Sequence, residues 1–132
     1  MDQNYAVKFD EYSLRHYEKD FIKKHKSNWN KTKKSIEDVC KRIDNMLEYN
    51  RAGLIKSVDN YKLVKLDFSV TGTKISPKNS GNRCILVIDE KTRQATILLI
   101  YSKNHISEPN ETVKWKIIVR DNFLQYAEIF DL

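Results

Sequence analysis

Residues 83–101, RCILVIDEKTRQATILLIY, read as two strands and the turn between them. Cys84 to Ile88 is an unbroken apolar run, and Ala95 to Tyr101 is nearly continuous. Such runs suit strands covered on both faces. The link Asp89-Glu90-Lys91-Thr92-Arg93 is short and polar, as a hairpin loop requires. Just upstream, residues 61–70 read YKLVKLDFSV. Val64, Leu66, Phe68 and Val70 alternate with Lys65, Asp67 and Ser69, which predicts one buried face and one wet face. Three consecutive antiparallel strands are therefore expected between Tyr61 and Ile106. The first of their links, TGTKISPKNSGN at 71–82, holds two of the chain's three glycines and one of its two prolines. Long loops inside compact domains often carry function.

The whole chain suits one domain spanning residues 1–132. At this length roughly two-thirds of the unfolded surface can be buried, so no covalent staple is required. The formal charge of +6 suggests a polyanionic or acidic partner without requiring one. Cys40 and Cys84 sit within apolar patterns, so buried free thiols are expected. No CxxC or HxxxH spacing suggests zinc. The stretch MDQNYAVKFDEY has no apolar core of leader length. No run approaches the roughly 18 apolar residues of a membrane span. A cytoplasmic protein without a cofactor is the expectation.

In chain order, Tyr5, Val7 and Phe9 alternate and predict a short first strand. Asp10 is placed to cap a helix running to about Lys26, with Leu14, Tyr17, Phe21 and Ile22 as its inward stripe. HKSNWNKT reads as a joint, with Thr32 or Ser35 as the next cap. A second helix is expected over about 33–49, because Ile36, Val39, Cys40, Ile43, Met46 and Leu47 keep helical spacing. Gly53 is suited to the left-handed residue that ends it. Beyond the strands, Pro109 stops the preceding segment and Asn110 is placed to cap a C-terminal helix over about 110–126. The expected class is α+β: an N-terminal strand and two helices packed on a mostly antiparallel sheet, with a C-terminal helix.

Charge is segregated along the chain. Lys23, Lys24, Lys26, Lys31, Lys33 and Lys34 lie in a window without acids, with His25 and Trp29 among them. A second acid-free window holds Lys74, Lys78 and Arg83. Lysines around a helix joint suit phosphate contacts, and an exposed Trp29 would stack on a base. The alternative is a solvated lysine-rich turn with Trp29 packed beneath it.

The densest set of chemical groups lies at the strand ends. Arg83 opens one strand; Tyr101, Ser102, Lys103, Asn104 and His105 close its neighbour. Lys65 on the adjacent strand can face the same area. A fixed cation, a lysine, an imidazole and a phenol suit metal-free RNA cleavage. One group would assist the 2′-hydroxyl, cations would stabilise the phosphorane, and another would protonate the leaving oxygen.

Three segments resemble the RelE/ParE-like type II toxin superfamily, the ribosome-dependent mRNA interferases more than the gyrase poisons. YAVKFDEYSLRHY is similar to that family's first strand and helix. NYKLVKL is similar to its lysine-bearing strand, and GNRCILVIDEKTRQATILLIYSKNH to its Gly-x-Arg, strand, turn, strand, basic-tip core. The resemblance implies Arg83 at the scissile phosphate, Lys62 or Lys65 as the strand lysine, Lys103 as the basic tip, and His105 as a substitute acid or base. It also implies a cognate antitoxin as partner, with mRNA and the ribosome as targets. The alternative on the same scaffold is a non-catalytic binding protein, such as a ParE-like gyrase inhibitor.

Overall fold

The computed structural model describes residues 4–132. Residues 1–3, which begin the stretch read above for a leader, lie outside them. The chain forms a five-stranded sheet between two layers of helices. Its strands are β1 (Ala6–Phe9), β2 (Gly53–Val58), β3 (Tyr61–Asp67), β4 (Arg83–Asp89) and β5 (Gln94–Tyr101). Their spatial order is β1-β5-β4-β3-β2, with β1 parallel to β5 and every other pair antiparallel. The α+β class and the N-terminal strand agree with the sequence reading. The edge strand β2 was not anticipated.

The first helical layer packs on one sheet face. It contains α1, which runs through Glu11–Ser13, a π-helical turn Leu14–Glu18 and Lys19–His25; α2 (Ser27–Lys41); and α3 (Ile43–Glu48). Phe21, Trp29, Ile36, Cys40 and Ile43 meet Val64, Leu66, Cys84, Leu86 and Ile97 there. A short helix, α4 (Pro77–Ser80), sits inside the 71–82 loop. The second layer, α5 (Glu111–Asn122) and α6 (Leu124–Phe130), packs on the opposite face. Trp115, Val119, Phe123 and Phe130 cover Leu63, Ile85, Val87 and Leu99. The side of β3 expected to be wet is therefore half covered, and Lys65 and Asp67 are partly buried.

A β-bulge explains how the continuous run of β5 serves both layers. Ile85 pairs with Leu99 and Leu86 with Ile97, so Leu98 is the extra residue. Leu98 and Leu99 consequently both join the α5–α6 core, while Ile97 and Ile100 join the other.

The helices depart from their expected outlines. Asp10 does cap α1, accepting from the Tyr12 N–H at 2.9 Å. The π turn adds a residue and rotates the upstream stripe. Ser13, Glu18 and Phe21 are buried, whereas Leu14 and Ile22 are exposed. The joint is a single residue, Lys26, at φ 52°, and α2 begins at Ser27. Thr32 and Ser35 lie inside that helix. Thr32 Oγ1 donates to the Asn28 carbonyl and accepts the Thr71 N–H. Positive φ after α3 falls on Asn50, and Gly53 instead opens β2. Asn110 makes no side-chain cap bond, and the C-terminal helix breaks at Phe123. Cys40 and Cys84 are buried free thiols, as the sequence indicated. No helix among the described residues is long and apolar enough to cross a membrane.

Candidate functional site

At one end of the sheet β3 and β5 stop and β4 begins. Two clefts open there, and the 71–82 loop lines both. Lys78 lines one cleft, while Asn79 and Ser80 line the other.

The first cleft, about 570 Å³, is basic: Arg51, Lys65, Lys78 and Arg83 line it, with Asp67 the one acid. Strand register builds it, because Arg83 lies between Asp67 on β3 and Tyr101 on β5. Arg83 Nε sits 3.0 Å from Asp67 Oδ1, off the line of a hydrogen bond. Its outer nitrogens donate to the carbonyls of Asn82 at 3.0 Å, Pro77 at 3.3 Å and Lys78 at 3.3 Å. The guanidinium thus pins α4 to the sheet. Arg51 and Lys78 are exposed and make no ion pair or side-chain hydrogen bond among the described residues.

Behind this cleft, Glu111 at the start of α5 gathers two partners. Its Oε2 lies 3.3 Å from Lys65 Nζ and accepts the Tyr101 hydroxyl at 2.7 Å. Burial is the main force pushing the Tyr101 phenol far up from its usual range, and the hydrogen bond and charge of Glu111 add to it. Tyr101 therefore stays protonated and committed to Glu111.

The second cleft, about 680 Å³, lies between α1 and the 71–82 loop. Phe21, Lys24 and His25 form one side, Ile75, Asn79 and Asn82 another, and Lys103, Asn104 and His105 close the end. His105 Nε2 is 2.9 Å from Asp20 Oδ2, while Nδ1 accepts the Ser102 N–H at 3.0 Å. That pairing assigns the proton to Nε2. The ring packs at 4.8 Å from Tyr17 and 5.7 Å from Phe21, centroid to centroid. His105 so joins the loop after β5 to α1. The stem of Lys103 lies over Gly81 (φ +76°), where a Cβ would come within 3.0 Å of it.

The four residues named from sequence as one catalytic set are thus divided. Arg83 and Lys65 share the basic cleft, Lys103 and His105 line the other, and no residue lines both. The physical reason is the turn after β5: Ser102 Oγ accepts the Asn104 N–H, and the His105 ring folds back on Ser102. This places the basic tip in the second cleft, with the Lys103 stem over Gly81.

The expected RNA-contacting lysines are also dispersed. Lys62 pairs with Glu90 at 3.1 Å, Lys33 with Glu18 at 2.8 Å, and Lys34 with Glu37 and Asp38. Lys78 and Lys24 line the first and second clefts respectively. Lys23, Lys26, Lys31 and Lys74 are exposed. Trp29 is 1% exposed and donates to Glu18 Oε1 at 2.9 Å, so it is a core residue and not a stacking platform. Sequence reasoning missed Arg51 and the role of Glu111. The acid's position at a helix start was visible, but its partners lie on two strands. Among the described residues no group of three or more His, Cys, Asp or Glu could hold a metal ion. No family model, curated protein or solved structure matches the chain.

Proposed function

We propose that the protein is a toxin-like RNA-binding protein that grips RNA by its phosphates in the basic cleft, and that it acts by binding. The observation carrying this reading is the convergence of Arg51, Lys65, Lys78 and Arg83 on one cleft against the single acid Asp67. A phosphate there would meet a guanidinium whose orientation is already set, and guanidinium–phosphate bonds are charge-assisted. Arg51 and Lys78 would follow the strand as mobile cations. An acidic antitoxin segment would compete for the same cleft.

Binding is favoured over cleavage by what surrounds Arg83. Cleavage needs a base and an acid within roughly 2.6–3.2 Å of the reacting oxygens. Tyr101 is committed to Glu111, Lys65 is ion-paired, and His105 and Lys103 face the neighbouring cleft. The ribosome-dependent mRNA interferase is the second reading. It is favoured by Arg83 and Lys65, the residues the family resemblance selects, sharing one cleft.

The test is induced expression of wild type and Arg83→Ala in a bacterium, with mapping of mRNA 5′ ends and filter binding of the purified proteins to RNA. RNA retention that falls steeply with salt and weakens in Arg83→Ala, with intact mRNA, is the expected result. New in-frame cuts that vanish in Arg83→Ala would establish the nuclease instead. No RNA retention and no cuts would refute both.

A further inference from the structure

The larger cleft has the make-up of a site for a flat ring with polar edges. Trp29 and Phe21 stack at 4.6 Å with planes 16° apart, and His25 lies next, 6.4 Å from Phe21 and 26° from its plane. This ladder of three rings ends in the cleft at His25, which is only half-buried. Ile75 lines the same cleft while 54% exposed, an apolar side chain left largely in water. Asn79, Asn82 and Asn104 line it too, and none of their amides has a side-chain hydrogen bond among the described residues. An amide carries both donors and an acceptor, which is what the edge of a nucleobase requires. Burial, and then the charge of Lys24, lower the His25 pKa, so the imidazole is neutral at neutral pH.

The two clefts are close enough to serve one ligand. The 71–82 loop lines both, and consecutive residues, Lys78 and Asn79, line opposite clefts. A helix with its side chains is about 10–12 Å across, so a strand crossing α4 needs only a few nucleotides to reach both. We infer that the cleft between α1 and the 71–82 loop receives an unstacked base of the single strand whose phosphate lies at Arg83. His25 continues its ring ladder onto the base, Ile75 packs against it, and the three asparagine amides meet its edge. The ligand class is single-stranded nucleic acid with an accessible base. Duplex is excluded, because its bases are stacked and paired. This inference rests on the RNA-binding reading above.

The experiment is fluorescence anisotropy with a 5′-labelled octanucleotide RNA, the same strand with abasic interior positions, and the corresponding duplex. The intact strand is expected to bind about 5- to 150-fold more tightly than the abasic one, the range for stacking one base. Ile75→Ala combined with Asn79→Ala alters only exposed side chains. It should remove much of the intact strand's advantage and leave the abasic affinity unchanged. Arg51→Ala combined with Lys78→Ala, both exposed and lining only the basic cleft, should weaken both strands alike. Equal affinity for intact and abasic strands, or equal loss for both in the variant lacking Ile75 and Asn79, overturns the base site while leaving the phosphate cleft standing. Indifference of both strands to the loss of Arg51 and Lys78 overturns the RNA-binding reading and the base site with it. Tight binding of free adenosine monophosphate, without preference for the intact strand, overturns the strand assignment in favour of a mononucleotide site.

Discussion

Glu111→Ala tests how the basic cleft is held from behind. The carboxylate accepts the hydroxyl of Tyr101, a fully buried residue, and pairs with Lys65, whose side chain is 31% exposed. Removing the acceptor strands a buried hydroxyl, which costs about 1–3 kcal/mol. The partly exposed ion pair adds up to about 1 kcal/mol after solvent screening. The lost negative charge in the first turn of α5 adds about 0.3–1 kcal/mol. The expected loss is therefore roughly 1–5 kcal/mol, a substantial share of the 5–15 kcal/mol typical of a domain. Glu111→Gln keeps an acceptor for Tyr101 and loses only the charge, so it should cost about 1 kcal/mol. Urea denaturation followed by circular dichroism measures both, with an unchanged slope expected. Equal losses in the two variants, or a loss below about 0.5 kcal/mol for alanine, would refute the claim that Glu111 secures Tyr101. The glutamine variant also frees Lys65. Its RNA affinity should rise, with the salt dependence steeper by up to about 0.7 in log–log slope.

Three further outcomes are expected. Ser13 Oγ accepts the Ile100 N–H at 2.7 Å, so Ser13→Ala should cost about 1–3 kcal/mol and speed amide exchange at Ile100; unchanged exchange would contradict the assignment. Burial pushes the Cys40 thiol up to about 12 and the Cys84 thiol well above its usual value, so neither should react with a disulfide reagent until the chain unfolds. Rapid labelling of the native protein would show that the core is open. The His25 pKa is lowered by burial first and by Lys24 second, so the folded state prefers the neutral ring. Its contribution to stability is present above the unfolded value of about 6.5 and is lost as pH falls below it. Melting temperatures should drop between pH 7 and pH 5, and His25→Gln should flatten that drop.

Much of the sheet was legible because apolar runs and alternation report burial directly. Val64 and Leu66 alternate within β3 and are buried, and Phe68, though beyond the strand's end at Asp67, is buried too. The spacing of Ile36, Cys40 and Ile43 found the face of α2 and α3. The failures share a cause: each depends on a partner distant in sequence. Leu14 fits a helical stripe, but the π turn that exposes it presents Ser13 to β5 and Glu18 to Trp29. β2 carries no regular alternation, because Ile55 is an extra residue in its pairing with β3. Lys103 and His105 stand close to Arg83 along the strand ends, yet a three-residue turn sends them into the other cleft. Lys65 looked wet because Glu111, its partner, is 46 residues away (111 − 65).

The pairing of β1 with β5 joins Ala6 to Gln94, so the sheet cannot close until most of the chain exists. The α5–α6 layer arrives later still. During synthesis the face formed by Leu63, Ile85, Val87 and Leu99 must wait bare for Trp115, Val119, Phe123 and Phe130. A nascent or truncated chain ending before Glu111 would therefore present an apolar slab to solvent or to a chaperone. Aggregation is the first failure to expect of such a fragment.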